Sequence, residues 1–399
     1  MTSIIQPPIT SEPIGTFNNI AYVRHRGQFS GATVDGTFAV PYEITAPANP
    51  TEGNETVVVE PPHFTSGAVA RDAVLGPDFL FGQGFRHAMA GFSNLFLRSL
   101  NPNPGFPIKI KGSPVTVDFP PLDRDKEVKD LNILRQFAFT LKQSPPSFLG
   151  RVVRVYGTGC SDSGQVIHEI YEPFGHKLFD LTFVGTASYL EPFKVSGQNP
   201  IMVFNTEFDF DPRAIPDPGF PQYRWYAVAG APHIPDSVLT RRAFPGGPGP
   251  IPPVTGSGPI NWSDMFRALF VAGDQWVRKG TPPPAGVTLR VNPQGIIARD
   301  VIGNALGGIR HPAMETGEAR FFDSVVRNGW LLFGGFGHPK HLTESEFPQY
   351  LASFKKATQA LVAARYLLPA GGERLIREAQ LRPPNTFTLN YMEGLLLPD

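Results

Sequence analysis

The sequence has no excess of charge of either sign, a single cysteine and no long apolar run, and each of these excludes a class of protein. Its 35 Lys and Arg residues balance 35 Asp and Glu residues, which argues against a nucleic-acid partner because phosphate contacts dominate that affinity. No stretch approaches the ~18 uninterrupted apolar residues that a membrane-spanning helix needs. The one cysteine, Cys160, cannot form an internal disulfide, so disulfide bonds do not hold the fold together.

The N-terminus also has little that resembles a secretion signal. Residues 1–13 contain neither a basic segment nor an apolar core, so we expect a soluble, cytoplasmic protein. The chain has 399 residues, of which 41 % are hydrophobic. This is enough for a core of ordinary size without a structural metal, and the length suits one large α/β domain or two to three smaller ones.

Proline and phenylalanine, by contrast, are abundant. The 43 prolines are about twice the average share of ~5 %, and the 32 phenylalanines greatly outnumber the 10 tyrosines and 4 tryptophans. Phenylalanine brings apolar area without a hydrogen-bonding group, so these rings either fill the core or line a pocket for an apolar ligand. Gly and Pro concentrate in residues 244–260. We interpret this segment as a surface loop, with a semi-rigid rim over a site as the alternative.

Predicted strands alternate with predicted helices along the first part of the chain. Runs of β-branched and aromatic residues predict strands that begin near residues 20, 36, 56, 85, 151, 179, 200 and 223, and apolar residues at helical spacing predict helices near 129 and 165. This alternation indicates the α/β class, with a mostly parallel central sheet flanked by helices.

We expect a single domain over residues 1–399, in which a catalytic core occupies 15–243. Residues 261–399 then form a C-terminal extension that is helical and supplies a lid. Two strongly amphipathic segments support the helical prediction: one begins at Asn261 and the other covers residues 345–368, where Pro369 ends it.

The strongest chemical signal lies in residues 155–165, between a predicted strand and a predicted helix. A serine there predicts a nucleophile elbow, a turn so tight that the residues two before and two after the serine nearly touch. Ser161 has Gly159 and Ser163 at these positions, whereas Ser163 as nucleophile would place the bulky Gln165 in the turn. Steric fit therefore selects Ser161.

Two other interpretations of this stretch are weaker. Gly- and Ser-rich turns before helices also bind phosphate, but neither Gly-x-x-x-x-Gly-Lys-Ser/Thr nor Gly-x-Gly-x-x-Gly occurs here. Cys160 as nucleophile would need Asp162 in the tight turn, and that carboxylate would disfavour a thiolate. We expect Cys160 to be a small buried residue.

A serine hydroxyl needs a base, and the best-placed histidine is His233. It follows the predicted strand at 223–229 directly, and open α/β sheets place their chemistry on loops past the carboxyl ends of strands. Two carboxylates follow the preceding strand, Glu207 and Asp209. Glu207 is closer to the strand end and is our first choice for orienting the imidazole, with Asp209 as the alternative. The order serine, acid, histidine is that of α/β-hydrolases.

An oxyanion hole requires two N–H donors. The backbone N–H of Asp162 meets this need at the start of the predicted helix. The second donor is expected from the loop after the predicted strand at 56–60. Because Pro61 and Pro62 have no N–H, His63 or Phe64 must supply it.

Several of these segments resemble a family called alpha/beta hydrolase domain-containing proteins. Its elbow, Gly-x-Ser-Gln-Ser-Gly, resembles residues 159–164. Its acid segment and its Ala-Gly-x-x-His segment are similar to residues 205–209 and 229–233. Residues 274–283 and 305–312 resemble the family's C-terminal part, so the likeness covers about residues 15–385.

The resemblance implies an α/β-hydrolase fold and a serine hydrolase with a largely undefined substrate. This chain has Asp162 where the family has Gln, and Gln165 where the family often has Arg, which bears on substrate preference more than on the triad. The expected reaction is hydrolysis of a carboxylic ester of an apolar or aromatic small molecule, with no cofactor and no metal. A lactone, amide or thioester hydrolase, or a non-catalytic binder of a small molecule, is the alternative. The sequence is also compatible with a homo-oligomer.

Overall fold

The computed structural model describes most of the chain. The described residues are 3–34, 36–62, 74–92, 108–110, 113–115, 130–171, 178–187, 199–211, 220–235, 260–327, 330–337, 340 and 342–381. The chain divides into two compact units, one of residues 1–185 with 193–200 and the other of residues 186–192 with 201–399. This partition differs from the predicted boundary at residue 243, and the core-and-extension division stays a prediction.

The first unit contains a mixed sheet. Its strands are β1 (Ile4–Ile5), β2 (Thr10–Phe17), β3 (Ile20–Thr33), β4 (Gly36–Pro47), β5 (Thr56–Val59), β6 (Arg86–Ala90), β7 (Ile108–Ile110), β8 (Ser113–Val115), β9 (Arg154–Cys160) and β10 (Leu181–Gly185). The main path runs β1-β3-β4-β6-β5-β9-β10. It is antiparallel from β1 to β6 and parallel from β6 to β10.

The parallel part carries the most deeply buried strands. Every residue of β5 is buried, as expected for an unbroken β-branched run that is covered on both faces. Helices α1 (Pro77–Gly82), α2 (Leu131–Gln143) and α3 (Asp162–Tyr171) belong to this unit. The Asp130 side chain caps α2 by accepting a hydrogen bond from the Asn132 N–H at 2.9 Å.

The second unit combines a parallel strand pair with helices and a hairpin. Its elements are β11 (Ile201–Thr206), β12 (Tyr223–Val228), α4 (Ser263–Lys279), α5 (Pro312–Glu315), β13 (Arg320–Arg327), β14 (Trp330–Gly337), α6 (Phe347–Ala363) and α7 (Pro369–Gln380). β11 and β12 are parallel, and β13 and β14 form an antiparallel hairpin.

Residues 287–309 form an irregular arm along the edge of β12. Val287 and Ile309 bridge to β12, and three further bridges link three short segments of the arm, 289–291, 297–299 and 305–307, to one another. Gly308 has a φ of +66°, and a Cβ there would lie 2.6 Å from the Ala227 carbonyl oxygen. Only glycine therefore lets the arm approach β12 this closely.

Two details of the C-terminal part differ from the sequence prediction. The helix predicted over 345–368 is shorter, Phe347–Ala363, and Pro369, predicted to close it, instead begins a further helix because proline suits the first turn of a helix. The part predicted to be a helical extension also contains the β13–β14 hairpin and the arm. Among the described helices, none has the length and hydropathy to cross a bilayer.

Candidate active site

The turn between β9 and α3 holds Ser161 in an unusual backbone conformation. Its φ is 57°, in the left-handed region that residues other than glycine rarely adopt. The backbone around it is hydrogen-bonded: the Ser161 N–H donates to the Gly185 carbonyl at 2.9 Å, and the Gln165 N–H donates to the Ser161 carbonyl at 3.0 Å. Such strained residues cluster at functional sites.

The turn is as tight as the elbow interpretation requires. A Cβ on Gly159 would lie 2.5 Å from the Ser163 carbonyl carbon and 2.7 Å from the Gly164 nitrogen. These distances are too short for any side chain, so the residue two before Ser161 must be glycine. The residue two after it is the small Ser163, in agreement with the steric argument from sequence.

Ser163 uses its hydroxyl to hold the turn. The Ser163 Oγ donates to the Cys160 carbonyl at 2.8 Å and accepts from the Cys160 N–H at 2.9 Å, and the residue is buried. This is a structural role, as expected from its exclusion as nucleophile. Cys160 is half-buried, so the expectation that it is a buried residue is only partly met. Asp162 is the first residue of α3 and is half-buried.

In the second unit, His233 is hydrogen-bonded to Asp209. The His233 Nδ1 lies 2.8 Å from the Asp209 Oδ1, and the two side chains are 13 % and 1 % exposed. An ionised carboxylate can only accept, so Nδ1 carries the proton and the neutral ring has its basic lone pair on Nε2. This is the tautomer that a general base needs.

Asp209 is itself oriented by the end of β11. Its Oδ2 accepts a hydrogen bond from the Thr206 hydroxyl at 2.6 Å, and its N–H donates back to the Thr206 Oγ1 at 3.3 Å. The Phe208 ring packs edge-on against the His233 ring, with centroids 5.7 Å apart. The carboxylate is therefore fixed on one side and directed at the imidazole on the other.

Glu207, our first choice for the acid from sequence, lies elsewhere. Its Oε2 accepts from the Gly230 N–H at 2.6 Å and its Oε1 accepts from the Arg299 Nη2 at 2.7 Å. The choice of Glu207 as the group that orients His233 is therefore corrected to the alternative, Asp209. The physical reason is the short turn after β11, in which the Thr206 hydroxyl holds Asp209 toward the loop of His233.

Burial and charge act in opposite directions on the acidic groups here. Burial raises the pKa of Glu207 above its usual range, while Arg299 and the Gly230 N–H lower it. Burial also raises the pKa of Asp323 on β13, where Arg299 opposes the shift and Asp209 adds to it. Arg299 is thus the positive charge shared by these carboxylates.

Two residues that contact this site, Arg299 and Trp262, were not expected from the sequence. Arg299 belongs to the arm, far along the chain from Glu207, and the Trp262 Nε1 donates to the Pro232 carbonyl at 2.9 Å, one residue before His233. One weak indication of the arm came from the sequence, because residues 305–312, which overlap its end, resemble the C-terminal part of the hydrolase family named above. No sequence signal marked Trp262 as more than a core residue.

Two predicted oxyanion residues, His63 and Phe64, lie outside the described residues. Within the described part of the chain, no group of three or more His, Cys, Asp or Glu residues is arranged to hold a metal ion. Ser161 and Asp162 belong to the first unit and the His233–Asp209 pair to the second.

Comparison with solved structures gives weak likenesses. A brefeldin A esterase, described as a bacterial homologue of human hormone sensitive lipase, is 11 % identical, with 46 % of this chain and 60 % of that chain covered and a TM-score of 0.29. A cold-adapted esterase from an Arctic intertidal metagenomic library is 13 % identical, with coverage of 56 % and 89 % and a TM-score of 0.32. A prolyl endopeptidase is 13 % identical, with coverage of 53 % and 39 % and a TM-score of 0.31.

The chain thus spans less than two thirds of the brefeldin A esterase and of the prolyl endopeptidase. No curated protein matches it. The sequence profile of a family described as "Alpha/beta hydrolase domain" matches residues 115–377, about two thirds of the chain. This range includes the elbow, both carboxylates, His233 and Arg299, and the chain belongs to this family of alpha/beta hydrolases.

Proposed function

We propose that the protein hydrolyses a carboxylic ester of an apolar or aromatic small molecule through an acyl-enzyme intermediate. Ser161 is the nucleophile, His233 the general base and acid, and Asp209 the group that orients the imidazole. The observation that carries the proposal is the left-handed backbone of Ser161 in a turn where no side chain fits at Gly159, because this geometry presents a serine hydroxyl at the tip of a strand-to-helix turn.

The proposed reaction has two steps. The Ser161 Oγ attacks the ester carbonyl carbon while the His233 Nε2 takes the hydroxyl proton, and collapse of the tetrahedral intermediate expels the alcohol, which receives that proton. Water then attacks the acyl-enzyme, with its proton taken by His233, and the acid leaves as Ser161 regains its proton. Asp209 stabilises the imidazolium that forms in each step.

The proposed oxyanion hole uses the backbone N–H of Asp162, at the positive end of α3. A second donor is proposed from His63 or Phe64. The preference for an apolar or aromatic ester rests on the phenylalanine content of the chain, and the proposed lid of residues 261–399 would contribute walls to that pocket.

The experiment that tests the nucleophile is labelling with a fluorophosphonate probe. We expect wild type and Ser163→Ala to be labelled and Ser161→Ala to remain unlabelled. Ser163→Ala is the matched control because it removes a hydroxyl two residues away that is buried and bonded within the turn. Labelling at Ser163, or no labelling of folded wild type, contradicts the proposal; the second result favours a non-catalytic binder.

Substrate class is tested by steady-state kinetics. Matched aromatic substrates with an ester, a lactone, a thioester or an anilide bond are compared by kcat/KM. We expect the ester to exceed the anilide, because its alkoxide leaving group needs less protonation than an amine, and to exceed the lactone and the thioester if the pocket fits an acyclic oxygen ester. A lactone or anilide preference keeps the same residues but replaces the proposed substrate class.

A further inference from the structure

Glu207, whose carboxylate is buried, and the partly exposed Arg299 form an ion pair that has no role in the proposed mechanism. The Glu207 side chain is 1 % exposed and that of Arg299 is 37 % exposed. Burying an ionised carboxylate costs free energy that hydrogen bonds and a countercharge must offset, and both oxygens of Glu207 have such partners. The donors to its two oxygens, the Gly230 N–H and Arg299, indicate the role of Glu207.

One oxygen of Glu207 fixes the turn from which the His233 loop departs. The Gly230 N–H donates to Oε2 at 2.6 Å, immediately after β12 and three residues before His233. Gly230 has a φ of 67°, and a Cβ there would lie 2.4 Å from the Met314 Cε. The turn is therefore packed against its surroundings and hydrogen-bonded to the carboxylate.

The other oxygen of Glu207 is held by Arg299. The guanidinium donates through Nη2 to Oε1 at 2.7 Å and through Nη1 to the Gly303 carbonyl at 3.2 Å. Because the arm is bonded to β12 through Ala227, Arg299 is anchored to the strand that leads to Gly230. The Gly230 turn is thus connected to β12 both directly along the chain and through Glu207, Arg299 and the arm.

We propose that Glu207 and Arg299 are positioning residues for His233: the carboxylate clamps the Gly230 turn, and the guanidinium keeps the local charge balanced around the imidazole. This inference rests on the proposed function, in which His233 is the base. Asp323 on β13 interacts electrostatically with Glu207, Arg299 and Asp209, and Asp209 is hydrogen-bonded to His233.

Removing the charge of Glu207 should move the titration midpoint of His233 in one direction. Glu207→Gln leaves the guanidinium without its countercharge, so the imidazolium of His233 becomes less favourable and its titration midpoint moves to lower pH. Adding Arg299→Gln removes that excess positive charge and moves the midpoint back toward wild type. If the substitutions act by damaging the fold, the His233 midpoint of the double variant should instead lie further from wild type than that of the single variant.

The test follows the His233 imidazole directly, by NMR of the full chain labelled at the histidine Cε1 carbons. His233→Gln assigns the signal. We expect a downward midpoint shift of about half a pH unit in Glu207→Gln and a return toward wild type in Glu207→Gln/Arg299→Gln. Asp300→Asn is the control, because Asp300 lies on the same arm but pairs with Arg310 and not with Arg299. Its midpoint should equal that of wild type.

The clamp is tested by kinetics. Glu207→Ala removes the acceptor for the Gly230 N–H and should lower kcat roughly tenfold or more with little change in KM, while Glu207→Gln, whose amide oxygen still accepts, should recover most of the loss. An unshifted midpoint in Glu207→Gln, a further shift in the double variant, or equal kcat in the Ala and Gln variants overturns the inference.

The two proposals fail separately. The NMR titration needs no turnover. If the wild type is not labelled by the fluorophosphonate but Glu207→Gln shows the midpoint shift and the double variant reverses it, the hydrolase proposal is refuted. The effect of Glu207 and Arg299 on His233 then still stands. A labelled wild type without the shift refutes only the role of this pair.

Discussion

The elbow of Ser161 and the loop of His233 hold their side chains by different means. Around Ser161 the determinants are main-chain contacts: Gly159 packs directly on the backbone of Ser163, and the Ser161 N–H is bonded to Gly185. Around His233 they are buried polar side chains, with Asp209 on the ring and Glu207 on the preceding turn.

This difference determines which substitutions the Ser161 turn and the His233 loop each tolerate. A main-chain turn packed at van der Waals distance is sensitive to a single added methyl group and indifferent to charge. A loop held by buried carboxylates tolerates small changes in volume but responds to the loss of one charge or one hydrogen bond. Substitutions in the two regions should therefore separate these responses.

The largest expected effect is at Asp209. Asp209→Asn retains the shape but allows the wrong imidazole tautomer and removes the countercharge, so kcat should fall by about 10³–10⁴. Glu207→Gln should reduce kcat much less, because Glu207 does not contact the ring. Ester turnover of the two purified variants checks this, and a larger loss in Glu207→Gln would restore Glu207 as the triad acid.

The next effect concerns the elbow. A Cβ in Gly159→Ala would meet backbone atoms at 2.5–2.7 Å, so we expect a loss of about 2–3 kcal/mol in unfolding free energy and of roughly 100-fold in kcat. Gly164→Ala is the graded comparison, since its Cβ meets the Gly159 and Gly185 carbonyls at 3.1 Å. Urea unfolding and ester turnover measure both variants; equal losses would show that the turn is less tightly packed than described.

A smaller effect is expected at Trp262. Trp262→Phe leaves the buried Pro232 carbonyl without the indole donor, which should cost about 1–2 kcal/mol of stability and only about two- to threefold in kcat. Trp225→Phe serves as the control, because none of the described residues accepts a hydrogen bond from its buried indole N–H. Thermal unfolding of both variants tests whether the hydrogen bond, rather than the lost ring, is responsible.

The smallest effect is a change in pH dependence. Because burial raises the pKa of folded Glu207 above its ordinary value of 4.5, the folded chain binds this proton more tightly than the unfolded chain. Its contribution to stability is therefore present at low pH and declines as pH rises from that ordinary value through the folded pKa. Glu207→Gln should make the unfolding free energy fall less steeply across this window in urea titrations. Parallel curves for variant and wild type would contradict the prediction.

The strand–turn–helix around Ser161 could be predicted from sequence because its constraints are local, and its role as a nucleophile elbow stays a proposal. Residues 155–165 contain the strand, the small flanking residues and the start of the helix, and the structure places β9 and α3 accordingly. The buried run of β5 and the strands at 181–185, 201–206 and 223–228 were similarly local signals.

The acid could not be decided from sequence because its surroundings are distant along the chain. Glu207 and Asp209 differ by two positions in one short turn, and their different contacts come from the Thr206 hydroxyl on Asp209 and from the Gly230 N–H and Arg299 on Glu207. The β13–β14 hairpin was missed although residues 320–337 are rich in aromatic and β-branched residues. Pro369 was interpreted only as a helix end, since proline both ends helices and begins them.

The left-handed φ of Ser161 also implies that folding and chemistry place opposite demands on one residue. A serine in this region is less favourable than glycine by roughly 1 kcal/mol, so glycine at 161 would relax the turn and delete the hydroxyl in the same change. In the proposed mechanism, the substitution that relaxes this turn is therefore also the one that removes the nucleophile.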